Sequence, residues 1–227
     1  MQYNVSFENE GPGIGLFEFG AAKPWHDNIV RYNLSVNDGH TTQGGLRIWR
    51  AEGKGEMHDC NIYNNTIYNS NKDNYAIGIL TNCHGMRFYN NIFVYDNDFL
   101  PAEQSIDEEE FYGNIYWQLH GHMKFMGYKS MEEWARATGN EMMDGKFLGL
   151  QKDPMFIDPV SSSISTDPIK IDPDNLNAFN ISAGSPVIDT GINLLEEFSL
   201  TQGQHDLAGN KIPQGNSFDI GALEFPR

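Results

Sequence analysis

Tyr63-Asn64-Asn65-Thr66-Ile67-Tyr68-Asn69 and Tyr89-Asn90-Asn91-Ile92-Phe93-Val94-Tyr95 are one phrase written twice. Shorter versions stand at Tyr3-Asn4-Val5-Ser6, Tyr32-Asn33-Leu34-Ser35 and Gly113-Asn114-Ile115-Tyr116-Trp117. Aligned on the asparagine before the apolar step, they give Asn4, Asn33, Asn65, Asn91 and Asn114, at intervals of 29, 32, 26 and 23 residues. A period of about 20 to 50 residues built on β-branched and aromatic side chains is the signature of stacked supersecondary units, not of a closed globule.

The second unit shows the plan. Asn28 to Tyr32 alternates as one strand, Asn33 is a tight corner, and Leu34-Ser35-Val36 is the next strand. A turn rich in Asp38, Gly39, Gly44 and Gly45 leads to a third strand, Leu46-Arg47-Ile48-Trp49, matched by Ile14-Gly15-Leu16-Phe17 and Ile77-Gly78-Ile79-Leu80. Each strand meets its equivalent only after a full circuit, so pairing is parallel, and parallel crossovers are right-handed. The expected fold is all-β: a right-handed parallel β-helix (solenoid) with a short helix and an irregular C-terminal cap. The stacked asparagines should form an amide ladder.

After Trp117 the pattern changes. Ser130-Met131-Glu132-Glu133-Trp134-Ala135-Arg136-Ala137-Thr138-Gly139 predicts a short helix with Ser130 as N-cap, Glu133 in a capping box and Gly139 as the left-handed stop. We divide the chain into coils at 1–118 and a helix-containing insertion and cap at 119–227, packed as a single domain. Met1 leads straight into a repeat unit, so further coils are expected upstream of it, and no signal peptide is legible.

The hydrophobic fraction of 39% is modest, but 14 Phe, 10 Tyr and 4 Trp supply bulk for a core. A net charge of −16 argues against nucleic acid and anionic membrane surfaces as partners. No apolar run approaches the roughly 20 residues of a membrane helix. Cys60 lies five residues before Asn65 and Cys83 eight before Asn91, so the two are not stacked equivalents; buried free thiols are expected.

The coil phrases, the helix at 130–139, and the tail series Asp153-Pro154-Met155-Phe156-Ile157-Asp158-Pro159, Ser182-Ala183-Gly184-Ser185-Pro186-Val187-Ile188-Asp189-Thr190-Gly191, Asp206-Leu207-Ala208-Gly209-Asn210 and Asp219-Ile220-Gly221-Ala222-Leu223-Glu224-Phe225 resemble the pectate-lyase-like superfamily of secreted bacterial parallel β-helix proteins. The resemblance covers nearly the whole chain. It implies a carbohydrate-active protein, secreted or periplasmic, of a group that includes lyases, glycosidases, epimerases and members without activity.

Chemistry is expected on the third-strand face. Gly15, Arg47 and Gly78 align in one outward column, Phe17, Trp49 and Leu80 in the next, then Glu18, Arg50 and Thr81. Phe17 and Trp49 suit the C–H face of a sugar ring, and Arg47 and Arg50 can clamp a uronate carboxylate or a sulfate. Glu18, Asp38 and Glu52 are the carboxylates that could act as acid, base or nucleophile, since hydrolysis needs a flanking pair. For β-elimination the candidate bases are Arg47, Lys54, His26 and His40, the last also as a substrate contact. His120-Gly121-His122 reads as a loop, and Asp107-Glu108-Glu109-Glu110 as a solvated edge. No cofactor is required, no metal ligands are assignable, and calcium at an Asp/Asn-rich turn is the ion the composition allows. The expected function is binding and cleavage of a polysaccharide or oligosaccharide, by a lyase or glycoside hydrolase. The alternative is a non-catalytic glycan-binding or surface module. The sequence does not specify an oligomeric state.

Overall fold

Along the chain come β1 (Val5–Phe7), β2 (Ile14–Glu18), β3 (Trp25–His26), β4 (Ile29–Arg31), β5 (Leu34–Val36), β6 (Leu46–Arg50), β7 (Met57–His58), β8 (Asn61–Tyr63), β9 (Thr66–Asn69), β10 (Ile77–Ile79), β11 (Arg87–Tyr89), β12 (Ile92–Tyr95), β13 (Glu110–Tyr112) and β14 (Ile115–Gln118). The structure, a computed structural model, describes residues 1–227 apart from 21, 42–43, 52–56, 81–82, 102–103, 105, 107, 121–124, 126 and 160–172; of 173–175 it describes the backbone alone.

All fourteen strands pair in parallel. A first sheet holds β4-β8-β11-β13, a second β1-β5-β9-β12-β14 and a third β2-β6-β10, while β3 and β7 form a short ribbon. The chain passes through the first, second and third sheets in turn, so neighbours in a sheet are about one repeat apart in sequence. The protein is therefore mostly β with parallel sheets. Among the described residues no helix is long and apolar enough to cross a membrane.

The corner between the first and second sheets is one left-handed residue followed by the ladder asparagine. Tyr3, Tyr32, Asn64 and Asn90 take φ of 59°, 49°, 50° and 51°, and Gly113 takes 67°. A tyrosine there carries a steric cost of about 1–2 kcal/mol, which only surrounding contacts can offset. The ladder supplies them. Asn33, Asn65, Asn91 and Asn114 each accept, through Oδ1, the backbone N–H and side-chain amide of the asparagine one repeat earlier, at 2.8–3.1 Å.

Period-two alternation sorts the side chains. Val30, Ile62, Phe88 and Phe111 of the first sheet meet Ile67, Phe93 and Tyr116 of the second and Ile14, Leu16, Leu46, Ile48, Ile77 and Ile79 of the third in one central core. Phe88 and Phe111 stack with ring centroids 4.4 Å apart, as parallel in-register pairing requires. Beyond β14, α1 (Met131–Thr138) lies over the end of this core. Ser130 Oγ accepts from Glu133 N at 3.1 Å, Gly139 has φ of 83°, and Trp134 is buried against Phe111 and Phe125. The Glu133 carboxylate reaches back to Lys129 N, one residue before the cap.

The antiparallel pair β15 (Met142–Met143) and β16 (Lys146–Phe147), a 3₁₀ turn (Pro173–Phe179) and α2 (Leu194–Phe198) complete the chain. This tail covers two outer faces. Phe179, Ile181, Val187, Ile220 and Leu223 pack on Leu34, Val36, Tyr68, Ile92 and Val94 of the second sheet, and Leu194 and Phe198 pack on Tyr63 and Tyr89 of the first. Among the described residues, no apolar side chain of the tail joins the outer face of the third sheet, where Phe17 is exposed.

Candidate functional site

On the third sheet, β2 and β6 carry the more exposed positions, while β10 is buried throughout. Arg47 lies in register between Gly15 and Gly78, and Trp49 beside Phe17. Phe17 is 41% exposed and Phe19 63%. Trp49 meets both edge-on, at 6.2 Å and 5.3 Å between ring centroids. The Phe17 ring lies back over Gly15 of its own strand, where a Cβ would come within 2.5 Å of it. Arg47 has no hydrogen bond or ion pair among the described residues, although the protein carries a charge of −16. An aromatic wall next to an uncommitted guanidinium on a flat strand surface can stack a ring and hold an anionic or hydroxyl group bidentately.

Of the carboxylates proposed from sequence, the two described ones, Glu18 and Asp38, are not on this face. Glu18 follows Ile14 and Leu16 in the alternation, so it turns inward; it is 2% exposed, and among the described residues neither carboxylate oxygen has a hydrogen-bond partner. Asp38 is fully buried in the turn that precedes the third strand. Its Oδ2 accepts from Ser35 Oγ at 2.7 Å, and its Oδ1 from Asn9 N at 3.0 Å and Asn9 Nδ2 at 2.7 Å. Neither can serve as acid, base or nucleophile for a ligand on the outer surface. Arg50, in register with Glu18, shares its side of the strand, so Arg47 and Arg50 do not form one clamp. His40 lies on the same preceding turn as Asp38, tied to Glu8 Oε2 at 3.0 Å, away from Trp49 at the strand's far end. Glu52 and Lys54 lie outside the described residues.

Among the described residues no group of three His, Cys, Asp or Glu side chains is placed to hold a metal ion. His120 pairs with buried Asp96 at 2.9 Å, while Gly121 and His122 are not described. In the acidic run Glu109 is buried, whereas Glu108 pairs with His84 and Glu110 with Arg87. Cys60 and Cys83 are buried free thiols, with burial pushing their pKa values up to about 11 and about 12.

One constellation escaped the sequence reading. His26 and His58 are in register in the β3–β7 ribbon, and His84 bridges to His58 in parallel. The His26 and His58 rings stack at 5.1 Å with 8° between planes. Each Nδ1 meets a carboxylate: Asp27 at 2.6 Å, Asp59 at 2.8 Å, and Glu108. The His58 hydrogen bond, then that of Arg87 at 3.0 Å, holds the Asp59 carboxyl below its ordinary range. The lower end of the column borders a cleft of about 720 Å³ lined by Glu108, Glu110, Tyr112, Tyr128 and Trp134. The signal was present: the histidine intervals of 32 and 26 residues equal those of the ladder from Asn33 through Asn65 to Asn91.

The acids of the tail motifs are structural. Asp219 accepts from Asp189 N and Phe225 N, Glu224 from Asp219 N and Gln214 N, and Asp206 from Glu224 N and Asn210 N. Four backbone segments are stitched together by carboxylates used only as acceptors. Searches against protein-family models and against curated proteins find no match to this chain.

Proposed function

We propose that the three sheets are the faces of a right-handed parallel β-helix whose uncovered third face binds a carbohydrate polymer. The parallel pairing of strands one repeat apart supports the coil, and the strong right-handed preference of parallel crossovers supports its hand. One observation carries the binding reading: Phe17, Phe19 and Trp49 are clustered beside Arg47, which has no partner among the described residues, on a sheet face that no described apolar side chain of the tail covers. Strands about 4.8 Å apart give a platform wide enough for one or two sugar rings.

Binding is favoured over cleavage because the two described carboxylates offered for hydrolysis, Glu18 and Asp38, are inside the protein. Cleavage on this face is a second reading, as a lyase reaction in which Arg47 engages a uronate carboxylate. The resemblance to exported β-helix proteins supports a secreted or periplasmic location.

The test is affinity electrophoresis through a panel of neutral and uronic-acid polysaccharides. Retardation by at least one polymer, lost in Trp49→Ala and weakened in Arg47→Ala, is expected. Equal mobility of wild type and both variants in every polymer overturns the assignment of the face. Product absorbing in the ultraviolet marks a lyase, and new reducing ends without it mark a hydrolase.

A further inference from the structure

The cleft of about 720 Å³ between β13 and the end of α1 has no part in the aromatic face, since neither Phe17, Arg47 nor Trp49 lines it. Its walls are negative from two directions. Glu108 and Glu110 stand on one side, and Thr138 and Gly139 bring the C-terminal end of α1, the negative pole of its dipole, to the other. The neighbouring cations are engaged: His84 with Glu108, Arg136 with Glu132 at 2.6 Å and Arg87 with Asp59 at 3.0 Å. Arg87 stands 3.6 Å from Glu110, beyond hydrogen-bond reach, so Glu110 has acceptor oxygens to offer. Acids and a helix end alone are a solvated surface, but a donor in the same wall is held ready. Asn140 is 8% exposed, and its Oδ1 accepts from Phe111 N at 2.9 Å, which fixes the amide. Its Nδ2 has no partner among the described residues and stays open to solvent where Asn140 lines the cleft. The hydroxyls of Tyr112 and Tyr128 are also unpaired among the described residues. Burial, then the charges of Glu110 and Glu141, push the Tyr112 phenol up, so it remains a donor.

From this we propose that the cleft binds one small hydroxylated amine in its protonated form. The ammonium group donates to Glu110, and the hydroxyls pair with Asn140 Nδ2 and the phenols of Tyr112 and Tyr128. Each feature of the walls selects against another class of ligand. Anions are repelled by the carboxylates, the helix end and the protein's charge of −16. Calcium needs six to eight oxygen ligands, and among the described residues no group of three His, Cys, Asp or Glu is placed to hold a metal ion. A purely apolar amine leaves the Asn140 donor and the phenols unpaired. The rings of Tyr112, Tyr128 and Trp134 offer apolar surface whose π-faces attract a cation. A cavity of this size with a few convergent polar groups among aromatic side chains is the usual form of a small-molecule site. This site stands or falls independently of the aromatic face of the third sheet.

Calorimetric titration of the whole chain at low ionic strength tests this, with glucosamine as the probe at a pH where its amine is protonated. Expected is saturable binding of one glucosamine per chain. Glucose, which has a hydroxyl in place of the amine, and cyclohexylamine, which has the amine without hydroxyls, should each bind at least about tenfold more weakly, the effect of losing one charged hydrogen bond or several neutral ones. Glu110→Gln should weaken glucosamine by at least about tenfold and leave glucose unchanged. Tyr128→Phe should weaken glucosamine by a smaller factor and leave cyclohexylamine unchanged; it takes the place of Glu110→Gln if that variant does not fold. Trp49→Ala, on the third sheet, should bind glucosamine as the wild type does. No saturable glucosamine binding, undiminished binding in Glu110→Gln, glucose bound as tightly as glucosamine, or saturable calcium binding lost in Glu110→Gln overturns the proposal.

Discussion

Asn65 Oδ1 accepts from Asn33 N and Nδ2, and its own amide donates to Asn91 Oδ1, Val30 O and Tyr63 O, all out of water. Asn65→Ala strands several buried polar groups at once, each worth about 1–3 kcal/mol. A loss of about 3 kcal/mol or more in denaturant unfolding is expected, against under about 1 kcal/mol for Asn4→Ala at the exposed end of the ladder. Each ladder amide also donates to the asparagine of the next repeat, and the last of them, Asn114, donates to Glu141 Oε1 at 2.8 Å instead. Gly113 N, Asn114 N and Tyr116 OH donate to the same carboxylate. Burial nevertheless pushes Glu141 up to about 7, and Glu224 likewise. In both, the folded pKa lies above the unfolded value, so the folded state holds extra protons between about pH 4.5 and 7. Stability should therefore fall as pH rises through that window, by on the order of 2 kcal/mol per group. Asp59 and Asp189 are shifted downward by their partners, so their effect has the opposite sign and lies below that window. Unfolding midpoints measured from pH 5 to 8 check this, and Glu141→Gln should flatten the slope.

At the level of elements, α1 is held by packing far more than by its caps. Ser130→Ala should cost about 1 kcal/mol by freeing the Glu133 N–H. Trp134→Ala should cost about 3–5 kcal/mol, because its ring closes the core end with centroids 4.7 Å from Phe125 and 6.0 Å from Phe111. Thermal unfolding of the two variants should separate these values. The second sheet differs from the third for a similar reason: apolar side chains on both sides of β9 and β12 leave every residue of those strands buried, whereas β2 and β6 alternate buried with more exposed positions. A strand buried on both faces reads as a continuous apolar run, and one with an open face reads as alternation.

For the molecule as a whole, the tail decides which surface is left to meet a partner. Phe179 touches Tyr68 and Phe156, each at 5.5 Å between centroids, and Phe179→Ala should cost about 3–5 kcal/mol. Limited proteolysis should then cut the tail first, since the outer face of the second sheet loses part of its cover. The repeat was legible because corners recur: one left-handed residue and one ladder asparagine per repeat demand Tyr-Asn, Asn-Asn or Gly-Asn at matching intervals. Parallel pairing and strand positions follow from those intervals, and so does the histidine column, had its spacings of 32 and 26 been set beside the asparagines. The inward turn of Glu18 was legible too, since Ile14 and Leu16 already assign its side of the strand. Glu141 was not, because the cap of the ladder occurs once and leaves no period to detect. Nor was the burial of Asp38, whose partners Ser35 and Asn9 converge on it only when two turns stack. Local residue patterns thus determined the strands, their parallel order and the ladder, because each depends on spacing along one chain. Which sheet face stays open was settled only by the tertiary structure, because covering a face depends on where residues more than a hundred positions away come to rest.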